Sequence, residues 1–226
     1  MKLSISVKKV TYWLFGIILA LNAFGLFLRI LTRFLDIEIN SGFLRLFDTA
    51  EEANVTAWFS SELLFIVGIL ALLISRVKAY LSDRYKVHWT ALAIIFFFLS
   101  LDEMAGIHEM AIEPMRNAFG ASGVFYFAWI IIAIPIVLLL GIFFLRFVLS
   151  LPRKTQIQFI VAGIIFLSGA VGFEMIGGLF HESSSYRVFI TAEETLENLG
   201  TGIFIVSLLS YAKENFETST IGLEIL

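Results

Sequence analysis

Residues Ala91–Glu109 read ALAIIFFFLSLDEMAGIHE, an apolar run that passes without a turn signal into Asp102, Glu103, His108 and Glu109. Such a run predicts a membrane-spanning helix with its ionisable residues at one end. Charged acids there are costly, about 2.5 to 3.5 kcal/mol each on insertion scales, so they normally face a bundle interior or water and mark functional positions. A second stretch, Phe173–Glu182, reads FEMIGGLFHE and carries the same ingredients in the same order: Glu-Met, then small residues, then His-Glu. The two helices are therefore expected to share one site.

Composition widens this reading to the whole chain. Of 226 residues, 59% are hydrophobic and 15% charged, and mean hydropathy is +0.91, outside the range of a soluble domain. At about 20 residues per span, the length allows six spans with short loops and no separate soluble domain. The expected fold is an all-α integral membrane protein, a six-transmembrane-helix bundle forming a single polytopic domain over residues 1–226. Its spans are expected near 12–32, 55–75, 88–110, 124–149, 157–180 and 192–211. Lys2, Lys8 and Lys9 before the first run resemble the opening of a signal peptide, but no small-x-small site follows, so the first span reads as uncleaved. A polar connection over 33–54 holds Asp36, Glu38, Asp48, Glu51 and Glu52, with a short interfacial helix expected at Phe43–Phe47. Pro114 is expected to stop the third helix and Pro135 to kink the fourth, while Gly163, Gly169, Gly172, Gly177 and Gly178 let the fifth approach its neighbours closely.

Charge asymmetry gives the orientation. Six spans put both termini on one side with the loops at 76–87 and 150–156, and that side collects 11 of the 16 Lys and Arg residues. The positive-inside rule makes it cytoplasmic, so the bundle is N-in/C-in in a plasma or inner membrane. Acids are biased the other way: apart from Asp83, Glu214, Glu217 and Glu224, all lie in or near the outer half. The acidic site is expected to open on the extracytoplasmic side.

Counted from the cytoplasmic end of each helix, Glu62, Asp102, Glu174 and Glu197 all fall roughly 20 to 25 Å up. Four helices thus offer one carboxylate each to one layer, with His108, Glu109, His181 and Glu182 a turn or two above. Carboxylates crowded at low dielectric need a cation or protons to balance them. Four carboxylates and two histidines are the inventory of two-metal helix bundles, but the spacing differs from Glu-x-x-His. Asp102 to His108 is six residues and Glu174 to His181 seven, about 9 to 10.5 Å along a continuous helix.

Two functions follow. The first is a metal-dependent membrane hydrolase, with a divalent metal (zinc or a di-metal pair) held by Glu62, Asp102, His108, Glu174, His181 and Glu197. Glu103 or Glu109 would be the catalytic base, and the substrate a lipid or lipid-linked molecule entering from the bilayer. The second is a proton- or cation-coupled transporter or channel using the same carboxylates. Glu109, Glu113, Glu182 and Glu193 also suit solvated helix ends, and Glu193 and Glu194 suit the dipole of the last helix. A T-A-E-E string occurs twice, at Thr49–Glu52 and Thr191–Glu194, each before a span. Cysteine is absent, which excludes disulfides, thiolate metal sites and a cysteine nucleophile. No dinucleotide, Walker or H-E-x-x-H pattern occurs, and no nucleic-acid partner is expected.

Overall fold

The computed structural model describes residues 4–34, 39–51, 53–183, 185–216 and 224–225. Asp36, Glu38, Glu52, Ser184 and most of the tail after Phe216 lie outside the described residues. Among the described residues nine α-helices follow one another: α1 (Val7–Phe34), α2 (Ser41–Leu46), α3 (Val55–Tyr80), α4 (Lys86–Ala105), α5 (Ile112–Phe119), α6 (Ile130–Ser150), α7 (Arg153–Leu167), α8 (Glu174–Leu179) and α9 (Tyr186–Asn215). A π-helical segment, Ser168–Phe173, joins α7 to α8. Among the described residues, five stretches are long and apolar enough to cross a membrane: Val7–Thr32, Val55–Tyr80, Lys86–Ala105, Ile130–Ser150 and Arg153–Leu179. Helix α9, of 30 residues and about 45 Å long, carries Glu193, Glu194 and Glu197 and falls outside that group.

Several boundaries differ from the expected ones, each for a local reason. The third helix ends at Ala105, because Gly106 turns into the left-handed region (φ 57°) and its N–H closes on the Asp102 carbonyl. Pro114 stops nothing; it sits in the first turn of α5, where a proline removes no needed donor. The fourth helix starts at Ile130, after a 3-10 turn at Gly123–Phe125. The last helix starts at Tyr186. The short helix expected near Phe43–Phe47 is α2, capped by the Asn40 side chain accepting from the Phe43 N–H. Asn54 caps α3 in the same way through the Ala57 N–H (2.9 Å), and its amide donates to the Arg45 and Asp48 carbonyls, tying α2 to α3.

Helix α9 is the element on which α1, α3 and α7 pack, while α3 and α4 form the most extensive pair. Close approach to α9 depends on glycine. A Cβ on Gly200 would meet the Phe166 backbone nitrogen at 2.7 Å, and one on Gly169 the Glu193 carbonyl at 2.7 Å. The core between the helices is aromatic: Trp89, Phe96, Phe147, Phe159 and Phe204 meet edge to face. Buried hydroxyls and amides cross-link the rest, with Ser61 on Ser100, Ser75 on Thr90 and Asn198 on Ser60 at 2.6 to 3.0 Å. Large apolar side chains on the outer surfaces of α1, α3, α6 and α7 are exposed, as lipid-facing residues are.

The bundle has two chemically distinct ends. At one, Lys78 pairs with Asp83, Lys154 with Glu214, and the Tyr85 hydroxyl donates to the Arg146 carbonyl. Near it, Ser4–Ile5 (β1) pair in parallel with Glu224–Ile225 (β2). At the other, Asp48 joins Arg29 of α1 to Arg187 of α9, and Thr49 meets Thr191 at 3.0 Å. Those threonines open the two T-A-E-E strings.

Candidate carboxylate site

The site lies at the second end and begins with the turn that Gly106 makes. Because the chain reverses there, the backbone N–H of His108 donates to Asp102 Oδ1 (2.8 Å), and the ring Nδ1 meets Oδ2 at 2.8 Å. The six-residue spacing, long on a continuous helix, thus becomes a direct contact. The His108 ring also lies against Trp129, centroids 4.8 Å apart. With Nδ1 held by a carboxylate the ring's orientation is fixed and Nε2 is left for another partner. Glu174 and Glu109 are the next acids in its field.

Glu174 opens α8 at the exit of the π-helical segment, and Glu193 on α9 is a neighbouring acid. One turn further along α9 is Glu197, whose charged neighbours are Glu194, Glu103, Glu174 and Asp102, all of them acids. Gly169 of the π segment packs directly on this turn, with Glu197 Cγ 2.9 Å from the position of an added Cβ. Helices α4, α8 and α9 therefore supply one group of carboxyls.

The other expected members differ in exposure and partners. Glu62 is exposed on α3, and Glu109 is exposed beyond the turn. His181 stacks on Tyr126 (centroids 3.6 Å apart), with Arg116 on that ring too, and its Nδ1 meets the Gly178 carbonyl at 2.9 Å. Glu103 is partly buried near Glu197. Among the described residues no three His, Asp or Glu side chains are grouped as a metal ion's donor set. Glu193, expected at a solvated helix end, is partly buried because α9 begins six residues earlier than hydropathy indicates. Tyr186, in the field of Glu174, Glu193 and Glu109, went unnoticed, and only its place ahead of the acidic run could have marked it.

Outside the bundle core, Asp48 is the site's outer brace. Burial opposes its ionisation, but the Ala50 N–H and the Arg29 and Arg187 guanidinium groups outweigh that and hold its pKa below the usual carboxylate value.

Fold and site together define an all-helical bundle with five helices apolar enough to cross a membrane and a carboxyl cluster at one end. The chain belongs to the family described as "Domain of unknown function (DUF8692)", whose model matches residues 11–212. No curated protein and no solved structure matches it.

Proposed function

We propose that this is a proton-conducting membrane channel in which Glu174, Glu193 and Glu197 pass the protons. The reading rests on one observation, the grouping of Glu174, Glu193 and Glu197 among further acids at one end of the bundle. Such a group exchanges protons because its members cannot all be ionised at low dielectric. The π-helical turn before Glu174 supports movement: π turns concentrate at functional positions, and their spare residue lets a helix shift register. In this reading α9 is the sixth span and both termini are cytoplasmic with the basic end, so the carboxyls open to the extracytoplasmic side. The lipid bilayer is the partner throughout.

The test is proton flux into liposomes containing purified protein, driven by a potassium diffusion potential and read with a pH dye. The parent should conduct, Glu174→Gln and Glu193→Gln should fall to the leak of empty liposomes, and Glu113→Gln, exposed on α5, should match the parent. A parent no faster than empty liposomes, or an unchanged Glu174→Gln, defeats the proposal.

One observation favours a second reading, the metal-dependent hydrolase acting on a lipid or lipid-linked substrate. Asp102 fixes His108 Nδ1 as carboxylates fix metal-binding histidines. The donor groups as they stand do not fit a metal centre, so this reading needs Glu174 to turn toward Nε2. Metal content of protein purified without chelator decides it, with less than one metal per chain counting against.

A further inference from the structure

The basic end carries a feature that the carboxyl site does not use. A cleft of about 450 Å³ opens between the α3–α4 loop and α6, lined by Arg84, Tyr85, His88, Phe143 and Arg146. Its floor is a stack of rings: His88 lies on Phe143 (centroids 4.6 Å apart, planes 13° apart), with Phe147 behind it (5.5 Å). Two exposed guanidinium groups stand at its rim. Arg84 lies over the Tyr85 ring, 4.6 Å from its centroid, which leaves its N–H edge outward. Asp83 lies in the field of Arg84, but its carboxylate is bonded to Lys78 at 3.0 Å, and among the described residues neither arginine has a carboxylate within ion-pair distance. Running away from Arg146 along α6 toward the middle of the bundle are Ile142 (73% exposed), Leu145 and Leu138, an apolar strip on the outer face of the helix.

We propose that this cleft binds an anionic phospholipid of the leaflet at the basic end. The phosphate would lie between Arg84 and Arg146, where planar guanidinium groups match phosphate oxygens, and the acyl chains along Ile142 and Leu138. Charge complementarity selects the occupant: two exposed guanidinium groups favour an anion, and the strip beside them favours hydrocarbon. Position agrees, since Arg146 lies in the last turns of α6, which ends at Ser150, at headgroup depth. A basic pocket between membrane helices is the form that anionic-lipid sites take.

The experiment melts the purified protein in neutral detergent with phosphatidylglycerol, phosphatidylcholine or glycerol phosphate added. Phosphatidylglycerol should raise Tm saturably, while the zwitterionic lipid and the soluble phosphate should not. In the double variant Arg84→Gln/Arg146→Gln the phosphatidylglycerol needed for half the shift should rise about thirtyfold, two surface cations multiplied together. Arg45→Gln, at the other end, should leave it unchanged. Equal stabilisation by phosphatidylcholine overturns the proposal, as does an unaltered response of the double variant; stabilisation by glycerol phosphate alone makes this a soluble-phosphate site. Should the double variant fail to fold, native mass spectrometry of the parent takes its place. Preferential retention of phosphatidylglycerol supports the site, and equal retention of both lipids rejects it.

Discussion

Asp48 shows how much one side chain can carry at the carboxyl-bearing end of the bundle. It bonds Arg29 of α1 and Arg187 of α9 while accepting the Ala50 N–H, so three parts of the chain meet at one carboxylate. Its pKa is held below the ordinary 3.8. On acidification the unfolded chain takes up its proton first, so this contribution is complete above that value and is lost as pH falls through the folded-state pKa. Melts between pH 6 and pH 3 should show a falling Tm, with Asp48→Asn less stable at pH 6 and flatter below pH 4. Equal slopes for the two proteins would remove Asp48 as the brace. At this scale the sequence was partly legible. Asp102 and His108 stood out because acids and histidines are rare at the end of an apolar run. Their contact did not, because it depends on Gly106 ending the helix between them, and an M-A-G string reads equally well as helix in a membrane segment.

Among the elements, the π segment and α9 form the joint that decides where Glu174, Glu193 and Glu197 meet. Hydropathy marks the glycines of the fifth span as small residues for close packing, but only packing tells them apart. An added Cβ on Gly169 meets backbone oxygen at 2.7 Å, whereas one on Gly163 meets nothing within 4 Å. Backbone cannot step aside as a flexible side chain can, so Gly169→Ala must push α9 away or straighten the π turn. It should cost about 1 to 3 kcal/mol, the range of overpacking, and lower proton flux with it. Gly163→Ala should be neutral or gain up to about 1 kcal/mol, since alanine replaces glycine within a helix. Chemical denaturation in detergent, run on both variants, checks the ordering; a Gly169→Ala protein as stable as Gly163→Ala would show that the joint yields freely. The π turn itself had no sequence signal, because its extra residue leaves composition and apolar character unchanged.

For the whole molecule, hydropathy located the long helices and misjudged several ends: turns cut the third and delay the fourth, while α1, α3 and α9 run on past the expected ends into more polar sequence. The case of α9 is different: its acids lower its hydropathy although it runs beside α1, α3 and α7 from the Arg187 end to the Lys154–Glu214 pair. Whether it crosses the membrane fixes the orientation of everything else. If all six long helices cross, Ser82 and Lys213 lie on one side, and Ser122 and Ser185 on the other. All four are exposed, and the chain has no cysteine, so single substitutions to Cys report without background. A membrane-impermeant maleimide should label Ser122→Cys and Ser185→Cys in intact cells, and Ser82→Cys and Lys213→Cys only in inverted vesicles, the basic end being inside. Labelling of Ser185→Cys and Lys213→Cys from the same side would mean that α9 does not cross. The carboxyl group would then be built by a helix lying at the membrane surface, and a proton path through the bundle would lose its sixth wall.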